Sequence, residues 1–199
     1  MLASLCFVGI TLLFLDFTGT AHAWLGYLAR VQLVPALLAL HVGIVAALLL
    51  LTLLFGRIYC SVVCPLGVMQ DLFGRAGRRA RRHRYSWSPA RTELRYAMLA
   101  LFAAALVAGV GSLAALLEPY SAYGRIAQNL LAPLWGWGNN LLAYFAERAD
   151  SYAFYATEVW MRSAATFAVA AATFAGVGSP AWRTGHTWCN TVCPVGTLL

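Results

Sequence analysis

Long apolar runs separated by short polar segments dominate the pattern of this sequence. Residues 33–55 and 96–117 carry no charge, and residues 163–182 form a third uncharged run that is rich in alanine. A shorter run, residues 2–17, is interrupted only near its end, by Asp16. A helix that spans a membrane needs about 20 mostly apolar residues. The pattern therefore predicts an all-α fold, an integral membrane four-helix bundle, with residues 1–199 as a single membrane domain.

The first apolar run has a second interpretation, as a cleaved signal peptide. The sequence Ala21-His22-Ala23 resembles a cleavage site, but no positive residue precedes the run and Asp16 interrupts it. These features differ from the usual order of a signal peptide, so we favour a retained helix.

Composition and charge support the membrane interpretation and give an orientation. The chain is 61% hydrophobic and only 11% charged, whereas soluble domains average about 25% charged residues. Its basic residues are all arginine and crowd the loop 75–95. Loops with this bias stay in the cytoplasm, so both termini should lie inside and the protein should be a multi-pass protein of a bacterial inner membrane. The loop could also contact anionic lipid or RNA, but topology explains it without nucleic acid.

The predicted outer connector, residues 118–158, contains an apolar and aromatic segment. Trp135, Trp137 and Tyr144 belong to this segment, and Pro133 and Gly136 interrupt it. Tryptophan and tyrosine favour the level of the lipid headgroups. We expect one or two amphipathic helices lying on the outer surface, with a re-entrant element as the alternative.

A repeated cysteine motif is the strongest signal in the sequence. Residues 56–67 and 185–196 align without a gap as G-x-x-aromatic-C-x-x-V-C-P-aliphatic-G. Each copy follows an apolar run, so the chain contains an internal repeat of a two-helix unit. The motifs supply Cys60 and Cys64 from one copy and Cys189 and Cys193 from the other. Cys6 lies alone in an apolar run and is assigned to packing.

Four cysteines brought together by the repeat would match the ligand set of an iron–sulfur cluster. The two pairs should then meet near the inner membrane face, where Arg57 or His186 would offset the negative charge of the cluster. A Cys₄ zinc site has the same ligand count but usually belongs to a small soluble domain. Two further interpretations remain open: a thiol–disulfide relay through Cys60/Cys64 and Cys189/Cys193, and a metal-free membrane anchor for a soluble ferredoxin. Structural disulfides are disfavoured in the cytoplasm.

Four polar residues are candidates for a quinol site. Glu118, Tyr120 and Arg125 lie near the outer end of the third predicted span, where Glu118 could accept a proton. His41 lies inside the second predicted span, and ionisable residues within a membrane are often functional. The plainer interpretations are an interfacial turn set by Pro119 and a histidine that only packs.

The motif residues also carry a family resemblance. Gly56-Arg57-Ile58-Tyr59-Cys60 and Cys64-Pro65-Leu66-Gly67, followed by Gln70-Asp71, resemble the membrane ferredoxin family with twin C-x₃-C-P motifs, as does Glu118-Pro119-Tyr120-Ser121 with Gly124-Arg125. This family includes the membrane ferredoxin subunit of periplasmic nitrate reductase and the membrane part of the nitrous-oxide reductase regulator.

The resemblance implies a function in electron transfer. It implies a 4Fe-4S cluster and transfer between the quinol pool, or a cytoplasmic donor, and a ferredoxin-type or other redox partner. The chain would then be a component of an oxidoreductase system rather than a stand-alone enzyme. It also leads us to expect a cytoplasmic ferredoxin domain after Leu199, which the present sequence does not contain.

Overall fold

The structure is a computed structural model that describes residues 2–16, 18–56, 58–81, 92–148, 155–159 and 163–198. Within these residues the fold is all-helical, as predicted. The α-helices are α1 (Leu2–Leu15), α2 (Thr20–Arg30), α3 (Leu33–Leu38), α4 (Val42–Phe55), α5 (Pro65–Arg81), α6 (Thr92–Val107), α7 (Gly111–Leu117), α8 (Pro119–Ile126), α9 (Ala132–Arg148), α10 (Ala164–Thr184), α11 (Thr187–Thr191) and α12 (Val195–Leu198). Two π-helical turns, Tyr59–Val63 and Ala127–Leu131, interrupt the series.

Helix α5 lies at the centre of the fold, where it packs against α1, α8 and α10. Glycines make this close packing of helices possible. A Cβ atom on Gly77 of α5 would overlap the carbonyl oxygen of Trp182 in α10. On the same interface, Phe73 of α5 packs on Gly178 and meets the ring of Phe174 edge to face, with 5.3 Å between the ring centroids. The amphipathic α5 is therefore a core element, although its C-terminal half is rich in arginine.

The predicted span 33–55 does not form one straight helix. It is divided between α3 and α4, and Leu40 at the break adopts the left-handed conformation with φ 54°. The two ends of the segment lie together, because the Leu33 N–H donates to the Tyr59 hydroxyl at 3.0 Å. The segment therefore contains two helices joined at a break, and the prediction of one helix over residues 33–55 is corrected. Apolar composition alone could not reveal a break whose left-handed residue is a leucine.

The predicted span 96–117 breaks in the same way. It is divided between α6 and α7, and Gly109 takes the left-handed conformation with φ 71°. The N–H of Val110 reaches back to Ala105 at 2.9 Å, just as the N–H of His41 reaches Ala36 at 3.0 Å in the first break. Both are Schellman-type helix ends followed directly by a new helix. The two apolar segments therefore share the same kind of break.

One helix in the described part of the chain is long and apolar enough to cross a membrane, namely Ala164–Thr184. Its 21 residues correspond to about 31 Å at 1.5 Å per residue. Two further helices are apolar but shorter, Leu2–Leu15 and Val42–Phe55. By length and composition this is one candidate span, so the four-span arrangement stays a prediction from hydropathy.

The connector 118–158 divides into a buried and an exposed part. Helix α8 belongs to the core: Tyr123 is fully buried, and its hydroxyl lies 2.6 Å from that of Thr11 in α1. Gly124 makes this burial possible, because it lets α8 approach the ring of Phe14. Helix α9 instead exposes Trp135 and Trp137.

Candidate metal centre

The two cysteine motifs fold along the same backbone path. Each begins at a glycine with positive φ, 67° at Gly56 and 79° at Gly185. A tight turn follows each glycine, with the N–H of Ile58 bound to Gly56 and that of Thr187 bound to Gly185, both at 2.8 Å. A side chain would be strained at these glycines, which explains why the motif starts with this residue type.

The second cysteine of each motif closes a wide turn. The N–H of Cys64 donates to the carbonyl of Tyr59 at 2.9 Å, and that of Cys193 donates to the carbonyl of Trp188 at 3.1 Å. These bonds join residues five apart, the spacing of a π-helical turn. The proline that follows each cysteine has no N–H to donate, and in both copies it starts a new helical segment.

The last glycine of each motif packs against the first cysteine. A Cβ atom on Gly67 would overlap the carbonyl oxygen of Cys60, and one on Gly196 would lie only 2.5 Å from that of Cys189. Both motifs therefore have the same steric reason for a glycine at this position: the helix after the proline must approach the turn that carries the first cysteine.

The structure brings the four motif cysteines together in the interior. All four are buried, with at most 7% of the residue exposed. Cys60 and Cys189, one from each motif, lie close enough for the Cys60 thiol, together with burial, to raise the pKa of Cys189. Cys193 also lies close enough to Cys64 to raise its pKa electrostatically, after burial as the main cause. Cys6 lies in α1 and is only partly buried.

Backbone N–H groups point at two of the sulfurs. Cys64 accepts hydrogen bonds from Gly67 and Leu66, and Cys193 accepts them from Gly196 and Val195. These bonds favour the thiolate, but burial outweighs them and raises the pKa of Cys193 to about 12. With no metal, these thiols therefore stay protonated, and a bound metal ion would supply the charge that deprotonates them.

Side chains from α5 and α6 form hydrogen bonds to the second motif. The Gln70 amide nitrogen, in α5, donates to the Cys189 sulfur at 3.1 Å. Asp71 accepts a hydrogen bond from His186 at 2.7 Å, and both side chains are partly exposed. Arg95 of α6 donates to the carbonyl of Gly196 at 3.1 Å. The predicted residue His186 therefore lies beside the centre, whereas Arg57 lies outside the described residues.

Sequence reasoning did not assign Gln70 or Arg95 to the site. A signal for Gln70 was present, because residues three apart share one face of a helix and Gly67 faces the first motif. A polar residue at position 70 therefore points toward the same place. Arg95 comes from a separate element, and no local pattern indicates it.

A buried tyrosine supports the first motif. The Tyr59 hydroxyl donates to the side-chain oxygen of Gln32 at 3.0 Å, and the Gln32 amide donates to the Val63 carbonyl at 3.2 Å. Burial raises the pKa of Tyr59, so this hydroxyl stays neutral. The network fixes the turn Tyr59–Val63 against the start of α3.

Three of the four candidate quinol residues lie together, and one does not. Glu118 stands between α7 and α8, and it influences the pKa values of Tyr120 and Arg125. Arg125 donates through its two outer nitrogens to the carbonyls of Ala115, at 2.7 Å, and Leu116, at 3.1 Å, so it caps the end of α7. His41 is exposed at the break before α4.

Glu118 lines a cavity of about 240 Å³ between α3, α6 and α7. Apart from this carboxyl group the lining is apolar, and one carboxyl oxygen is buried with no hydrogen-bond partner among the described residues. Burial raises the pKa of Glu118 to about 7, against an opposing effect of Arg125. The group can therefore exchange a proton near neutral pH.

The donor set fits an iron–sulfur cluster better than a single metal ion. Four buried sulfurs with backbone N–H donors beside them are the usual surroundings of such a cluster. No group of three or more Cys, His, Asp or Glu side chains in the described part of the chain is arranged to hold one metal ion.

The fold and the buried thiols define an all-helical protein with a thiol-lined redox centre. Comparison with known families gives the particular class: the model of the 4Fe-4S binding domain matches residues 37–84 and 165–199. This match supports an iron–sulfur cluster of the 4Fe-4S type as the cofactor. The two matched segments coincide with the two copies of the repeat. No curated protein and no solved structure matches the chain.

Proposed function

We propose that this protein is a membrane electron carrier in which Cys60, Cys64, Cys189 and Cys193 together hold one 4Fe-4S cluster. Two observations carry the proposal: all four cysteines are buried, and the Gln70 amide, in the helix after the first motif, bonds to the Cys189 sulfur of the second motif. When bound, the cluster accepts and releases one electron. The chain supplies the thiolates, excludes water and directs backbone N–H groups at Cys64 and Cys193.

The membrane part of the proposal rests on sequence pattern and on α10. The arginine-rich loop 75–95 supports a cytoplasmic position for both motifs, and α10 has the length and composition of a span. The partners are membrane lipid, a quinol or cytoplasmic electron donor, and a ferredoxin-type acceptor.

A thiol–disulfide relay has less support. Exchange reactions need a thiolate, and reactive cysteines have a lowered pKa. Burial raises the pKa of both Cys64 and Cys193 instead. The match to a 4Fe-4S binding domain also favours the cluster over the relay.

Metal and sulfide analysis of the purified, membrane-extracted protein tests the proposal. About four iron atoms and four acid-labile sulfides per chain are expected, as the cluster formula requires. Reduction should produce a low-temperature EPR signal. Zinc without sulfide, or two reducible disulfides with no iron, would contradict the cluster.

We also propose that the cavity beside Glu118 binds the hydroxylated ring of a quinol, with Glu118 as proton acceptor. The buried, unpartnered carboxyl oxygen supports this assignment. So does the position of the cavity, because Val34 lines it and the neighbouring Leu33 bonds to Tyr59 beside the first motif. Tyr120 and Arg125 set the charge around the carboxyl group.

Substituting Glu118 with glutamine should slow reduction of the cluster by quinol while dithionite still reduces it. In the parent protein the rate should rise with pH through about 7, because only the carboxylate accepts a proton.

The raised pKa also means that the folded state holds a proton that the unfolded state releases, so stability should fall as pH rises from about 4.5 to about 7.

Both pH effects should be absent in Glu118→Gln, as measured by stopped-flow absorbance and by thermal unfolding. His41→Gln is the matched control, because His41 is exposed and does not line the cavity. An unchanged quinol rate in Glu118→Gln, with the pH profile retained, would remove Glu118 from the site.

A further inference from the structure

The side chain of Gln70 is fully buried and bonds across the repeat. Its exposed fraction is 0%, and its amide nitrogen lies 3.1 Å from the sulfur of Cys189. The amide belongs to α5, which follows the first motif, whereas the sulfur belongs to the second.

We infer that Gln70 is a positioning residue that raises the reduction potential of the cluster by donating a hydrogen bond to its Cys189 ligand. The inference rests on the proposed function. Reduction adds an electron, and the negative charge on the ligand sulfurs increases. A donor near a sulfur stabilises the more negative state more strongly, and such bonds are one of the means by which proteins set cluster potentials.

The surroundings of the Gln70 side-chain oxygen argue against a purely structural role for this residue. The side-chain oxygen of Gln70 is buried with no hydrogen-bond partner among the described residues. A buried polar atom without a partner lowers the stability of the folded state. Leucine or methionine would fill the space without that cost, so packing alone does not explain a glutamine here. The bond from the amide N–H to the Cys189 sulfur explains the glutamine, since only the N–H group can favour a thiolate.

The repeat shows that this contact is a departure from symmetry. Gln70 stands six residues after Cys64, and the corresponding position six residues after Cys193 is Leu199. Leucine has no side-chain donor, so the second copy offers no equivalent bond to the first motif from this position. The two pairs of ligands therefore differ in their polar surroundings, although their backbones follow the same path.

Redox titration of the holoprotein, followed by EPR, tests the inference. Gln70→Met and Gln70→Leu remove the donor at nearly constant volume. The bond is present in both oxidation states, so the potential depends only on how much stronger the bond is in the reduced state. We therefore expect the equilibrium constant for reduction to fall about tenfold when the donor is removed. For a one-electron couple this is a shift of about 59 mV to lower potential. Iron and sulfide contents should stay at the level of the parent protein.

Gln32→Leu is the matched control. Gln32 is also a fully buried glutamine beside a motif, but it donates to the carbonyl of Val63 rather than to a sulfur. Its replacement should lower thermal stability and leave the potential unchanged. The inference is overturned if both Gln70 variants keep the parent potential, or if the Gln32 variant shifts it equally. It is also overturned if both Gln70 variants lose the cluster, because Gln70 would then be needed for assembly. A parent protein without any cluster would instead overturn the proposed function.

Discussion

Cys193→Ser should leave the protein with little or no bound iron, and so should a serine at each of the other three motif cysteines. A serine oxygen is a poorer ligand for iron than a thiolate, and each motif supplies only two of the four ligands that a cluster uses. We propose that the two pairs form one site, because the Gln70 amide after the first motif bonds to the Cys189 sulfur of the second. Loss of any one ligand should therefore remove the whole cluster and its EPR signal.

The pattern of iron loss separates one shared cluster from two independent centres. With a shared cluster, the Cys64 and Cys193 variants should each lose nearly all iron and sulfide. With independent centres, each variant would keep about half of the iron bound by the parent protein. Cys6→Ser is the matched control, because Cys6 lies in α1 outside both motifs and should leave iron content unchanged.

The two cysteine motifs could be recognised in the sequence because their backbone geometry has local causes. The repeat places glycine, aromatic, cysteine and proline at fixed spacings, and each of these residues has a local task. Gly56 and Gly185 take positive φ, and Gly67 and Gly196 make room for a carbonyl. A pattern with local causes can be recognised in a sequence without knowledge of the fold. The match to the 4Fe-4S binding domain covers the same residues.

The path of the helices could not be predicted in the same way. Hydropathy reports that residues 33–55 are apolar, but it does not report the left-handed conformation of Leu40. That conformation is uncommon for leucine, so the residue type does not announce it. Gly109 marks the second break more clearly, although glycines are frequent in apolar helices of membrane proteins.

The polar contacts between the motifs depend on the fold. Gln70, Asp71 and Arg95 reach residues more than one hundred positions away in the chain. Only the packing of α5 on α10 brings the first two to the second motif. The candidate quinol residues also show that proximity beyond the local sequence depends on the fold. Glu118 and Arg125 are near in sequence and in space, while His41 lies at the break between α3 and α4.

Gly67→Ala should both destabilise the protein and abolish cluster binding. The new Cβ atom would overlap the carbonyl oxygen of Cys60, a backbone atom that cannot move away as a flexible side chain would. Overpacking in a dense interior costs about 1–3 kcal/mol and sometimes more. The backbone shift that relieves it would displace Cys60 and weaken its contact with Cys189. Thermal unfolding and iron analysis of the same preparation measure both effects.

Gly196→Ala should have a similar but smaller effect, because its Cβ atom would lie 2.5 Å from the carbonyl of Cys189 and a smaller shift relieves the contact. Gly138→Ala is the matched control. This glycine lies inside helix α9, and its Cβ atom would meet nothing within 4 Å. Alanine there should stabilise the helix by about 0.5–1 kcal/mol and leave iron unchanged. If Gly67→Ala instead bound iron and unfolded like the parent protein, the close approach of α5 to the first motif would be wrong.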